Sequence, residues 1–435
     1  MPGLPSHHAV GLLAALAVSA ATAFAAPPVD EEELLATVRE ILAETPLIDG
    51  HNDAPWQIRD RFANHLDQLD FTDTSALDPV MHTDLKRMRE GGVGGQFWSV
   101  WVPTSLTGGE AVQAVLEQID LVRRLTARYP DHLEEALTAD DIVRVHRNGR
   151  IACLIGIEGG YGIGESLAVL RQVYALGARS MTLTHWDTIA WADAATDEPE
   201  HGGLSPFGVA VVEEMNRLGM IVDLSHVSLE TMVDAMTASR APVVFSHSAA
   251  AALNPHPRNV PDQVLRLVAA NGGLVMVNLG SFFISEKVVS RLAEREAEKA
   301  RLEALHPGNS EAVAAGLEAW RERSPEPEVT LADVVDHVDH ISQLAGIDHV
   351  GIGSDFDGVG ALPRGLADVS GYPQLLAELV RRGYTRQDVA KVAGGNLLRV
   401  MREVESVAAR LQRSEKPRDL RIEEVDGGQS LAHEN

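Results

Sequence analysis

The chain has almost no cysteine. Cys153 stands alone among 435 residues, so no disulfide can form within the chain. An exported protein of this kind has to be held by core packing and by metals. Positive charge is scarce as well: 37 Lys and Arg stand against 63 Asp and Glu, for a net charge of −26. Binding a phosphate backbone requires a basic surface, so nucleic acid is not the expected partner. An acidic surface is no obstacle to cations. Repeats and low-complexity tracts are absent, and no Gly-rich phosphate loop follows the first apolar run, which weakens an open dinucleotide-type sheet. The last segment, "RSEKPRDLRIEEVDGGQSLAHEN", lacks the apolar end that a lipid-anchor signal needs. It reads as a mobile polar tail over 412–435.

One long apolar run is present, at the start. "AVGLLAALAVSAATAFA" ends in the small-residue pattern Ala23-Phe24-Ala25, which reads as an export signal over residues 1–25. The residues before it include no Lys or Arg, a weak feature for such a signal. The rival, a membrane-spanning anchor, is disfavoured because the run is short and Ala-rich. Cleavage after Ala25 leaves "APPVDEEE" with no Cys to carry a bacterial lipid. The expectation is an exported, periplasmic or secreted protein without a stable membrane anchor.

With 45% hydrophobic residues the chain can bury a large core. Eight short apolar runs recur, at 46–50, 94–102, 151–159, 178–186, 220–226, 241–248, 272–280 and 349–358. Most are near-continuous rather than alternating, as in strands covered on both faces. Amphipathic stretches lie between them, such as 164–176, 206–218 and 228–238. Eight strand–helix units predict one closed parallel (β/α)8 barrel spanning 26–411. An insertion at about 284–330 interrupts it between the seventh and eighth runs. Its highly charged first part predicts a helix over 288–305, and the whole reads either as a helical hairpin on the barrel's side or as a lid over its active face.

In such a barrel the strands' C-terminal ends form the active face. The tips here carry His51, Asp53, Glu158, His185, His226, His247, Asp355 and Asp357. Taken singly, each has an ordinary explanation as a cap or a satisfied buried group. Taken together they place four His and several carboxylates on one rim. Imidazole with carboxylate suits Zn2+ and similar cations. His51 and Asp53 are two apart and face the same way on a strand. His226 and His247 come from neighbouring strands, and Glu158 lies between the two sets with two oxygens to share. The predicted centre is dinuclear: His51, Asp53 and Glu158 on one ion, and Glu158, His226 and His247 on the other. The tips carry no Lys and no His-x-His, which many barrel hydrolases use.

The motifs "IDGHNDAPW", "GIEGG", "TLTHWDTIAWAD", "IVDLSHVS", "VVFSHSAA", "RNVPD", "VMVN", "GIGSDFDG" and "GGNLLRVM" occur in this order over roughly residues 40–405. In them the chain resembles the membrane (renal-type) dipeptidase family, dinuclear-zinc peptidases on a (β/α)8 barrel. The resemblance implies two Zn2+ per chain bridged by Glu158, dipeptide substrates, tolerance of a D-residue at the second position, occasional β-lactam hydrolysis, and a homodimer. It implies that His185 polarises the scissile carbonyl, that Arg258 of "RNVPD" holds the substrate carboxylate, that Asp355 moves protons, and that Asp357 supports it. The expected reaction is attack by a metal-bridged hydroxide. Family members often carry a Tyr two residues after "VMVN"; Gly280 stands there, and Phe282 or Phe283 is the expected substitute. The alternatives are another dinuclear-metal barrel hydrolase, acting on a lactone, ester, cyclic amide or β-lactam, and a non-catalytic binding protein. The latter would be expected to have lost a ligand or Asp355.

Overall fold

The computed structural model describes residues 30–427. Its strands are β1 (Leu47–Asn52), β2 (Val93–Trp101), β3 (Leu133–Glu135), β4 (Ile151–Glu158), β5 (Ala178–Thr182), β6 (Ile221–Asp223), β7 (Val244–Phe245), β8 (Leu274–Val277) and β9 (Val350–Ile352). Eight of them close a parallel barrel in the order β1-β2-β4-β5-β6-β7-β8-β9, with β9 returning to β1. Helices surround it, so the fold is the predicted (β/α)8 barrel.

The count of eight runs passed over β3. This strand pairs with the first residues of β4, Leu133 opposite Ile151 and Glu135 opposite Cys153, before β5 joins β4 at Ile155 and Ala178. Three residues, of which only Leu133 is buried, leave no apolar run to read. Other runs were longer than the strands they contain. The run 178–186 pairs only to Thr182, and 241–248 pairs only at Val244–Phe245. Beyond the last rung the backbone leaves the ladder and carries its polar tips over the barrel mouth.

The local rules behind the outer helices are visible in Pro206–Leu218. Ser205 caps it by accepting from the Gly208 N–H, Pro206 opens it, and Gly219 closes it at φ 89°. Inside the barrel, Ile48, Phe97, Leu154, Ile221, Val244, Leu274 and Met276 pack together and onto Leu397, Val400, Met401 and Val404 of the helix Asn396–Ser414. That helix seals the N-terminal end of the strands with apolar side chains, so the polar residues collect at the other end.

In the insertion, helices Glu286–Leu305 and Ser310–Arg323 pack on each other, and the Arg291 guanidinium lies 3.5 Å over the Trp320 ring. Neither helix lines the cavity at the barrel mouth. The segment read as a free tail from residue 412 is partly held. The terminal helix continues to Ser414, Arg418 donates its backbone N–H to Glu214 Oε2, and Asp426 accepts from Ser205 Oγ at 2.6 Å and the Phe207 N–H at 3.0 Å. Residues beyond 427 and the export signal read over 1–25 lie outside the described residues. Among the described residues no helix is long and apolar enough to cross a membrane.

Candidate metal centre

Most site residues sit at a strand end or in a left-handed turn just beyond one. His51 is the penultimate residue of β1, and Asp53 follows the strand as the residue before the helix Ala54–Phe62, which Pro55 helps to start. Glu158 is the last residue of β4. His226, Asp355 and Asp357 hold left-handed backbone, at φ 71°, 62° and 66°. Non-glycine residues adopt that region at a cost, and such positions gather at functional sites.

The tips converge on Glu158. Its Oε2 lies 3.3 Å from His51 Nε2 and accepts from Ser99 Oγ at 3.0 Å. Its Oε1 lies 3.1 Å from His226 Nε2, 3.5 Å from His247 Nε2 and 3.6 Å from His185 Nε2. His51 Nε2 is also 3.3 Å from Asp53 Oδ2. The ligand atoms form three overlapping groups: His51, Glu158 and His247; Glu158, His185 and His226; and His51, Asp53 and Asp355. All are buried.

The donors fit a divalent cation better than they fit one another. His51 Nε2 is buried and faces two carboxylates, yet makes no well-directed hydrogen bond to either. The Nε2 atoms of His226 and His247 stand 3.0 Å apart. Imidazole nitrogens and carboxylate oxygens turned toward common points are the donor set of zinc-type sites.

Electrostatics follow the same geometry. Burial disfavours the His51 cation, but Glu158 and Asp53 outweigh it and hold its pKa well above the usual value. Burial opposes the Glu158 anion, yet its imidazole neighbours, His51 first, keep its carboxyl well below the usual range. Burial drives His226 and His247 well down, and lowers His185 to about 4. Burial, reinforced by Asp53, pushes Asp355 up to about 8. Asp357 rises to about 6 through burial. A bound cation would pull these carboxyls down again.

A cavity of about 310 Å³ opens over the cluster, with Trp56, Trp101, Trp186, Arg258 and Phe283 among its walls. Arg258 is 2% exposed; its Nη2 reaches the His247 carbonyl at 3.4 Å, its Nε has no partner, and its Cζ lies 5.5 Å from the Trp186 ring and 5.2 Å from that of Phe283. Burial lowers its pKa to about 10, so it stays a cation at neutral pH. A buried cation with so few partners suits an anionic ligand group. A larger cleft of about 700 Å³ at the other end of the barrel, with Leu267, Arg399 and Glu403 on its walls, holds no such cluster.

Asp357 stands beside the cluster rather than in it. Its Oδ1 accepts from the His82 N–H at 2.7 Å, and its carbonyl accepts from Gln57 Nε2 at 3.0 Å. At Gly280 a Cβ would come within 2.8 Å of Val359 Cγ1 and 3.2 Å of Phe283 Cδ2. Phe283 and Val359 line the cavity there, while Phe282 packs on His256.

Sequence reasoning missed the groups that hold the site in place. Asn278 donates to Asp355 Oδ2 at 2.8 Å. Asp49 accepts from Ser354 Oγ at 2.7 Å, from Gln96 Nε2 at 2.9 Å and from Tyr372 O–H at 2.8 Å, tying β1 to β2 and to the β9 tip. Asp223 accepts from Thr182 Oγ1 at 2.5 Å and Ser246 Oγ at 2.6 Å. A carboxylate inside an otherwise apolar run, as in "PLIDG" and "MIVDL", was the available signal.

Residues 35–415 match the family model described as membrane dipeptidase, peptidase family M19. The chain is 40% identical over 392 residues to dipeptidase verJ of Clonostachys rogersoniana, covering 88% of this chain and 90% of that one. Among solved structures it is similar to the probable dipeptidase PvdM of Pseudomonas aeruginosa, with 27% identity, a TM-score of 0.73, and 87% and 100% of the two chains covered. It is also similar to a metallopeptidase of Rhodobacter sphaeroides liganded with a phosphinate mimic of the dipeptide L-Ala-D-Ala, with 25% identity, a TM-score of 0.68, and 83% and 99% covered.

Proposed function

Because the chain belongs to the membrane dipeptidase family, peptidase family M19, and is a metal-dependent dipeptidase, we propose that it hydrolyses free-ended dipeptides with two zinc ions shared across Glu158. His51 and Asp53 would hold one ion together with Glu158, and His226 and His247 would hold the other with the same carboxylate. The observation that carries this reading is the division of the Glu158 oxygens between the two His sets. Cations bound there would supply Lewis acidity and make water at the site more acidic, with a pKa toward ~7.

The protein's own groups do the rest. Asp355 Oδ2 is occupied by Asn278, which leaves Oδ1 to take a proton from the attacking water and return it to the leaving amine. His185 donates a hydrogen bond to the carbonyl oxygen as it gains charge, an interaction worth ~3–4 kcal/mol when preorganised. The Arg258 fork pairs with the substrate's terminal carboxylate. Its place against Trp186 and Phe283 supports that role. The complex of the Rhodobacter sphaeroides relative with an L-Ala-D-Ala mimic supports acceptance of a D-residue at the C-terminal position. Export through the signal at residues 1–25 belongs to the same reading; mass spectrometry of the protein's N-terminus tests it, with Ala26 expected first.

The deciding experiment measures bound zinc per chain and turnover on L,L- and L,D-dipeptides beside an ester control. About two zinc per chain and a strong preference for dipeptides are expected. Ester or lactone turnover exceeding that of every dipeptide would overturn the reading.

A further inference from the structure

We infer that Trp101 fixes the tautomer of His185, making that imidazole a hydrogen-bond donor into the cavity rather than a metal ligand. The inference rests on the dipeptidase reading above and assigns a positioning residue to it.

Proton counting carries the argument. Trp101 Nε1 lies 3.2 Å from His185 Nδ1. An indole N–H donates and cannot accept, so Nδ1 must present its lone pair. A neutral imidazole has one N–H, which must therefore sit on Nε2. That atom points at the cluster, 3.6 Å from Glu158 Oε1. By position alone His185 is a candidate ligand, since it groups with Glu158 and His226. With Nε2 protonated it has no lone pair to offer there. A doubly protonated ring could not accept the indole N–H at Nδ1, so the contact itself is that of the neutral ring.

His247 shows the opposite arrangement, which makes the contrast informative. Ser246 Oγ gives its single proton to Asp223 Oδ2 at 2.6 Å. It can then only accept from His247 Nδ1, at 2.7 Å. His247 thus carries its proton on Nδ1 and turns the Nε2 lone pair toward Glu158. A donor-only partner sets one imidazole as a donor; a serine backed by a carboxylate sets the other as a ligand.

Trp101 is itself held. Its ring stands edge-on to Trp56, with centroids 4.4 Å apart and planes at 84°. Trp56 belongs to the helix that begins just after Asp53. The His185 ring lies against that of His226, with centroids 4.3 Å apart. The N–H is therefore delivered from one direction onto a ring that cannot easily turn.

The test uses Trp101→Phe, which keeps an aromatic ring against Trp56 and deletes the N–H. In the zinc-loaded enzyme kcat is expected to fall about 10- to 100-fold, in the range for weakening one oxyanion donor, while KM, bound metal and melting temperature stay near wild type. In a His185→Asn background the same change should cost little more, as for two residues acting through one contact. The direct readout is 15N-histidine labelling with two-bond 1H–15N correlation. Wild-type His185 should show a protonated Nε2 and a bare Nδ1, and Trp101→Phe should shift that pattern toward the other tautomer. A protonated Nδ1 in the wild type overturns the inference, as does an unchanged pattern in Trp101→Phe or an equal loss in the His185→Asn background. The wild-type spectrum decides even if the variant fails to fold. A wild type that turns over esters but no dipeptide would sink the dipeptidase reading, while the spectrum would still report the tautomer.

Discussion

Asp355 is gripped from three sides. Its N–H donates to the His51 carbonyl at 3.2 Å, its Oδ2 accepts from Asn278, and its backbone sits in the left-handed region. Asp355→Asn keeps the shape and removes the base. Turnover should drop by ~10²–10⁴-fold, the usual span for a lost general base, with bound metal unchanged by elemental analysis. Unchanged turnover would remove Asp355 from proton transfer. Arg258→Ala should reduce kcat/KM for dipeptides far more than for a neutral ester, because only the dipeptide brings a carboxylate to the buried guanidinium. Equal losses on both substrates would argue that Arg258 only packs the cavity wall between Trp186 and Phe283.

At the scale of an element, the turn "SDFDG" after β9 has one position with no room to spare. A Cβ on Gly358 would lie 2.2 Å from Asp53 Oδ2 and 2.6 Å from Asp355 Oδ1. Gly358→Ala should push the Asp53 carboxylate off the cluster. The expected result is zinc content reduced by roughly one ion per chain and little activity, with a far-ultraviolet circular dichroism spectrum like wild type. Retained zinc would show that the turn can shift to make room. The C-terminal segment offers a second test. Asp426 accepts from the first turn of the helix Pro206–Leu218 through Phe207 N–H and bonds its cap Ser205. Asp426→Ala should lower stability by ~0.5–2 kcal/mol, as for other lost helix caps, measured by denaturant unfolding.

Across the whole molecule, the metal centre is where buried charge gathers. Four His, Asp53, Glu158 and Asp355 share one buried end of the barrel, an arrangement that is costly unless cations complete it. Metal removal should therefore cost stability as well as activity. A ligand present at 100 times its Kd stabilises the native state by about 2.7 kcal/mol per site. Stripping the protein with a chelator should lower its melting temperature, and adding zinc back should restore it in a concentration-dependent way. A melting temperature indifferent to zinc would mean that the cluster is satisfied without it.

The barrel could be read before any coordinates because strands covered on both faces are rich in apolar residues, and each of the eight barrel strands lies in or overlaps such a run. Only the three-residue β3 escaped, being too short to carry that signal. The rim was legible for a similar reason: His51, Asp53, Glu158, His226, His247 and Asp355 sit where apolar runs stop, and a barrel brings all such stops to one end. What the sequence could not state is which atom faces which. That the Glu158 oxygens divide between the His sets, that Trp101 meets His185 Nδ1, and that Asp223 reaches His247 through Ser246 are contacts between residues far apart in the chain. Periodicity decides which face a residue takes, and only the closed barrel with its left-handed tips decides the last few ångströms on which proton placement depends.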